Sequence, residues 1–496
     1  MMHTPSRWLV LAAVMMAFVP VVVDMTILHI AIPSLTLALG ASGTEVLWII
    51  DVYPLVMAGL LVPMGTLADK LGCRRLLLVG LGIFTVASVA AAFSTSAVML
   101  IAARAMLGIG SAMIMPCVLA VIRQAFEDDA ERATALGAWS VVGMAGAAIG
   151  PLAGGLLLEH FWWGSVFLVN VPIMMIVVPM VWVLIPRRPG NSAATWKPGQ
   201  ALIVIAGLML TVYGIKTGVK SGLNTQSLAA LSAGAVLLVW FARMQVSSKA
   251  PMLDLSLCTK PAIAVGFLMA FVANGSLAGF ELVLAQELQF VLGKTPLEAG
   301  LFMLPLVAAA AVGGPVGGKL ATWFGLRPVA SLSMAVSSAS LVALAFADFK
   351  NPGVVVPALL AGLGFALGVG LLASSIAIMG SVSEEKAGAA GALESVGYEL
   401  GGGLGITIFG VLVNSIYRHS FGAPAGATEN AANSIGEAMT AANAVGGDLG
   451  SEIAEAARLA FVDAHGTVLM SVALIIALLA VVVFVSLRGQ TLANAH

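Results

Sequence analysis

Charge is what this sequence most lacks. Only 9% of its 496 residues are charged, against about 25% in soluble globular domains, and so small a share excludes a soluble protein. The few charges favour neither sign. With a net charge of -1 and scattered Lys and Arg, there is no basic patch for nucleic acid. Cysteine is equally scarce: Cys73, Cys117 and Cys258 cannot build a disulfide framework and fit no zinc spacing, so no metal site is expected. The chain also lacks His-Glu-x-x-His and Gly-x-Ser-x-Gly, leaving no catalytic cluster for a membrane enzyme. Gly313 to Lys319 has the glycine and lysine spacing of a phosphate loop. Leu320, however, takes the hydroxyl position and no strand precedes it, which argues against an ATP-driven pump.

What is present is apolar. Hydrophobic residues make up 60% of the chain, gathered in runs long enough to cross a bilayer as helices that satisfy their own backbone. Fourteen such runs are expected, the first over 8–32 and the last over 466–487, which predicts an all-α polytopic membrane protein. Arg7 and the run after it could pass for a signal peptide. Asp24 and Pro33 stand where a cleavage site would need small residues, so this run is read as the first, uncleaved span. Arg7, Lys70, Arg74, Arg75, Arg123, Arg132, Arg187 and Arg188 fall on one side of the spans. That bias predicts both termini in the cytoplasm, with Lys216 and Lys220 on the far side.

An internal repeat organises these spans. Gly65, Leu67, Ala68, Gly72 and Arg74 recur as Gly318, Leu320, Ala321, Gly325 and Arg327 at a constant offset of 253. Both copies follow spans that run in the same direction, the pattern of parallel repeats about an axis along the membrane normal. The division is a six-helix bundle over 1–190, an inserted pair with linkers over 191–260, and a second six-helix bundle over 261–496. The inserted pair shows little polarity within the membrane. An outer segment, 417–465, interrupts the second bundle, and both an ordered cap and a mobile loop remain open for it.

Four motifs carry a family resemblance. Gly65-x-Leu67-Ala68-Asp69-x-x-Gly72-x-Arg74-Arg75 resembles the loop motif of the major facilitator superfamily. Arg104 to Gly110 resembles its fourth-span arginine motif, with Leu107 where Gln is usual. Gly143 to Gly155, through Gly150 and Pro151, resembles the fifth-span exporter motif. Asp24 to Pro33 is similar to the first-span motif of the 14-span drug:proton antiporters, with His29 where Asn is more usual. The resemblance implies a major facilitator fold with two inserted helices. It also implies export of lipophilic cations such as quaternary ammonium compounds, methyl viologen, dyes and bisbiguanides by alternating access. Proton motive force would drive this without a cofactor, in a bacterial inner membrane, and a monomer is expected.

The physical reading of the rare polar residues agrees with that chemistry. A charge at the centre of a span costs about 2.5 to 3.5 kcal/mol on insertion scales, so such residues usually face a pathway or a partner. A carboxylate in an apolar cavity can hold a proton and exchange it for a cation, because one site cannot stabilise both at once. Asp24, Asp51, Glu399, Glu281 and Glu394 are the candidate acids, with Arg104 as a modulating partner. For Asp24 the rival reading is a structural partner of Arg104 or of a helix end; Glu281 and Glu394 could equally be interfacial. An Asn at position 24 is expected to stop transport and leave the fold intact. Gly65, Asp69, Gly72, Arg74, Arg75, Gly150 and Pro151 are candidates for a conformational gate, and Asp69 can pair with Arg74 or Arg75. Trp48, Trp139, Phe271 and Phe280 can stack on a cation, although aromatics at span ends more often form the interfacial belt. An importer on the same fold is the main alternative, disfavoured by the fifth-span glycine motif and because no binding-site lysine accompanies the acids. A non-transporting sensor or scaffold is the second.

Overall fold

The computed structural model describes residues 6–126, 128–188, 190–191, 196–222, 224–248, 251–383 and 386–488. The two chain ends and part of the 186–200 linker lie outside the described residues. Fourteen helices are long and apolar enough to cross a membrane, so the protein is an integral membrane protein. The N-terminal half holds α1 (Arg7–Leu39), α2 (Gly43–Leu71), α3 (Cys73–Ala92), α4 (Ala97–Ala125) and α5 (Asp129–His160). Its sixth span is made of α6 (Ser165–Leu168) and α7 (Asn170–Leu184). The inserted pair is α8 (Pro198–Ser221) and α9 (Thr225–Ser247). The C-terminal half holds α10 (Pro261–Gln286), α11 (Pro296–Phe324), α12 (Leu326–Ala345), α13 (Val355–Met379), α14 (Ala387–Ser420) and α16 (Gly447–Ser486). A short α15 (Ile435–Val445) precedes the last.

The repeat is written into the ends of two helices. α2 opens on a capping box of Ser42 and Glu45, and α11 on one of Thr295 and Glu298; each pair satisfies backbone donors that the first turn leaves free. Both helices close on a glycine with positive φ, Gly72 at 90° and Gly325 at 85°, where a side chain would be strained. Their N–H groups donate to Ala68 and Ala321. All of these positions share the offset of 253. The two arginines that follow are equivalent as well. Arg74 donates to the Trp182 carbonyl near the end of α7, with its guanidinium 5.2 Å from the Trp182 ring centroid. Arg327 donates to the Phe484 carbonyl near the end of α16 at 2.7 Å, with its guanidinium 3.8 Å from the Phe484 ring centroid. Each arginine thus satisfies a terminal carbonyl within its own half and stacks on an aromatic face.

Each half has its own apolar core, and α5 packs on α11 and α2 on α14 between them. The segment 417–465 is an ordered cap. α14 extends to Ser420, and α15 packs on α16, which begins at Gly447. The cap is tied to the N-terminal half, since Gly43 N donates to Glu437 Oε1 at 2.9 Å and Gly436 lies against Thr36. At this cap end the halves also meet most tightly. A Cβ on Gly155 of α5 would lie 2.7 Å from Leu297 Cα of α11, and one on Gly300 would lie 2.6 Å from the Pro151 carbonyl oxygen. Farther along the same helices, Gly137 and Gly314 have open space where a Cβ would stand.

Candidate functional site

Three of the candidate acids are buried against bases on other helices. Asp24 of α1 is fully enclosed and accepts from Arg104 Nη1 of α4, itself 1% exposed. The Arg104 Nε donates to the Ile49 carbonyl of α2 at 3.1 Å, and its guanidinium lies 4.6 Å from the Tyr53 ring centroid. Tyr53 Oη in turn lies 2.7 Å from Ser111 Oγ of α4. Arginine stays charged in a protein, so in this dry setting it needs such partners. α1, α2 and α4 are held together at this point.

Asp51 of α2 has a partner that the sequence reading placed elsewhere. Lys216 of the inserted helix α8 is 3% exposed, and its Nζ is 2.6 Å from Asp51 Oδ2. The inserted pair therefore does carry a membrane-buried charge, and the statement that no lysine accompanies the acids is corrected. Lys216 does stand toward the cap end with Lys220, but α8 continues to Ser221 and keeps Lys216 within its packed face. Thr407 of α14 donates to the same Asp51 oxygen at 2.5 Å. One carboxylate thus joins the N-terminal half, the inserted pair and the C-terminal half. Trp48, a candidate for substrate stacking, faces Lys216, with Nζ 3.9 Å from its ring centroid.

The third pair joins the halves directly. His29 Nδ1 of α1 and Glu281 Oε2 of α10 are 2.9 Å apart, both residues buried, so Glu281 does not reach lipid headgroups in this structure. Near the cap, His465 of α16 lies 3.4 Å from Glu287. Neither histidine contact was foreseen. His29 stood out only as a departure from the family motif.

Glu399 of α14 differs from these three. It is buried, and its Oε2 has no hydrogen-bond partner among the described residues. Glu394, five residues earlier, is partly buried and lies beside Ser375 and Tyr398. The two glutamates project to different sides of α14, as five residues at 3.6 per turn require.

The sequence itself belongs with known transporters. The family model described as Major Facilitator Superfamily matches residues 14–406. The chain belongs to that superfamily. It is 46% identical over 486 residues to methyl viologen resistance protein SmvA of Salmonella typhimurium, covering 97% of this chain and 98% of that protein. It is 36% identical to multidrug efflux pump LfrA of Mycolicibacterium smegmatis, covering 98% and 97%. Among solved structures it is similar to a bacterial homologue of the human lysosomal transporter Spinster in an inward-facing, unoccupied conformation. That match has a TM-score of 0.70 at 17% identity and covers 98% and 97% of the two chains, a likeness of fold alone. The chain is a membrane transporter of this superfamily and not an enzyme.

In this superfamily frame the remaining candidates divide by position. Gly150 of α5 is a point of close approach: a Cβ there would fall 1.9 Å from Thr26 Oγ1 of α1, and Pro151 touches Gly300 across the halves. Gly65 is less constrained, because its nearest neighbour to a built Cβ is Pro116 at 3.8 Å. Asp69 and Arg75 are exposed, and the Asp69 carboxylate pairs with neither Arg74 nor Arg75 among the described residues. Of the aromatics, Trp139 stacks on Phe18 at 5.4 Å between ring centroids, and Phe271 meets Gly401 through its backbone. Phe280 is fully buried in the C-terminal core.

Proposed function

We propose that this transporter exports lipophilic cations from a bacterial cell in exchange for protons. Methyl viologen, quaternary ammonium compounds, cationic dyes and bisbiguanides form its substrate class. It works as a monomer in the inner membrane with both termini in the cytoplasm, and no cofactor takes part. The observation that carries the reading is Glu399, a buried carboxylate that pairs with no base among the described residues. Such a group is stable in an apolar interior only when protonated or paired with a mobile cation. Those two occupants exclude each other, and this exclusion couples one flux to the other. The printed names of the two relatives, a methyl viologen resistance protein and a multidrug efflux pump, support the direction and the class.

The closed cap end and the contacts of α5 with α11 support alternating access, with the cap on the outer side. The test is transport by purified protein in proteoliposomes. An imposed pH gradient should drive accumulation of ethidium or methyl viologen against its concentration gradient, and a protonophore should abolish it. Uptake that persists after the proton gradient has collapsed would refute antiport.

A further inference from the structure

We infer that Lys216 is a tethered cation: its ammonium occupies the cation site of Asp51 when no substrate is bound, and a lipophilic cation must displace it. The inference rests on the export reading and deepens it by giving the inserted helix pair a part in substrate binding. Three observations meet at Lys216. The Lys216 ammonium is 2.6 Å from the Asp51 carboxylate. It sits 3.9 Å from the centroid of the Trp48 ring. A cleft at the cap end has Lys216 in its wall, beside Thr44, Leu47, Lys220, Arg418 and Glu437. A carboxylate beside an aromatic face is the chemistry that recognises an organic cation, and here the protein's own ammonium fills it.

The pair is poorly satisfied as a permanent strut. Asp51 Oδ1 has no hydrogen-bond partner, and Lys216 has no polar partner but this carboxylate among the described residues. A buried ion pair repays desolvation only when its remaining donors and acceptors are also satisfied. Thr407 keeps one hydrogen bond on Asp51 from the C-terminal half, so the carboxylate retains a partner when the ammonium leaves. Lysine suits the exchange because its point charge sits on a flexible four-carbon stem.

Binding of tetraphenylphosphonium to the purified full-length protein tests this by equilibrium dialysis. Lys216→Gln should bind it about tenfold more tightly than wild type, the scale of one close charge pair. The gain should be lost in Asp51→Asn/Lys216→Gln. A Lys216→Gln affinity within twofold of wild type, or a gain that survives in the double variant, overturns the inference. Wild-type protein that binds no lipophilic cation would instead overturn the export reading. Because Lys216→Gln leaves Asp51 unpaired and can misfold, a second measurement uses wild-type protein alone. Amine labelling read by mass spectrometry should find Lys216 protected without ligand and several-fold more reactive at saturating tetraphenylphosphonium, with exposed Lys319 near the far end of α11 as the internal control. Unchanged labelling of Lys216 at saturation overturns the proposal.

Discussion

Asp24 and Glu399 are both buried carboxylates, yet their surroundings require different outcomes from the same amide substitution. Asp24 is the counter-charge of an arginine that cannot lose its proton. Removing one member of a buried pair costs about 3 to 5 kcal/mol, because the other charge is left without compensation. Asp24→Asn is therefore expected to abolish transport and also to lower the melting temperature in detergent, where the sequence alone suggested an intact fold. Asp24→Asn/Arg104→Gln should recover part of the lost stability without transport. Glu399→Gln breaks no ion pair, so its melting temperature should stay close to wild type while proton-driven uptake into proteoliposomes is lost. A Glu399→Gln variant with normal uptake would remove Glu399 from the coupling machinery. At this scale the chain was half legible. Acids inside apolar runs stand out by rarity, but their partners lie far away in sequence, at separations of 80 residues for Asp24 with Arg104 and 252 for His29 with Glu281. Pairing over such distances is set by helix packing, which no local pattern records.

Helices in this protein approach one another through small residues, and the glycines of the two motifs are not equivalent in that respect. Gly150→Ala would drive a methyl group into Thr26 Oγ1, 1.9 Å away, so α1 and α5 must separate or Thr26 must turn. Overpacking of this kind costs about 1 to 3 kcal/mol. Gly65→Ala meets only Pro116 at an ordinary 3.8 Å. Thermal unfolding should show a clear loss for Gly150→Ala and little change for Gly65→Ala, and the reverse order would contradict the packing described. Helix existence was readable from hydropathy, and the repeat from five matched residues. The cap was not. The stretch 447–465 is polar enough to end a hydropathy run, so the last span was expected over 466–487. In the fold, α16 continues back to Gly447 because α15 covers its apolar face. The burial of Lys216 was hidden for a related reason: a lysine near a helix end reads as an interfacial residue until a carboxylate on another helix is seen beside it.

The two halves are joined by contacts of unequal kind, and that inequality points to how the whole molecule moves. At the cap end the backbone of α11 stands against Gly155 of α5, and the cap binds the N-terminal half through Glu437 and Gly43. Between the halves, deeper in the spans, stand polar contacts that can be broken and remade: His29 with Glu281, and Thr407 with Asp51. Rigid-body rocking of one bundle on the other would open the cap end and close the opposite end around these groups. Spin labels can follow both ends in a background where Cys73, Cys117 and Cys258 are replaced by serine. One pair sits at Glu159 and Leu301 near the cap, the other at Gly137 and Trp323 toward the far end, and all four residues are exposed. Ligand-free protein should show a short, narrow distance for the first pair. Adding a lipophilic cation and then imposing low pH should populate a second state, in which the Glu159–Leu301 distance lengthens while the Gly137–Trp323 distance shortens. Distances that lengthen together at both ends would mean the bundles separate instead of rocking, and alternating access would need a different pivot from the one that Gly155, Gly300 and Pro151 provide.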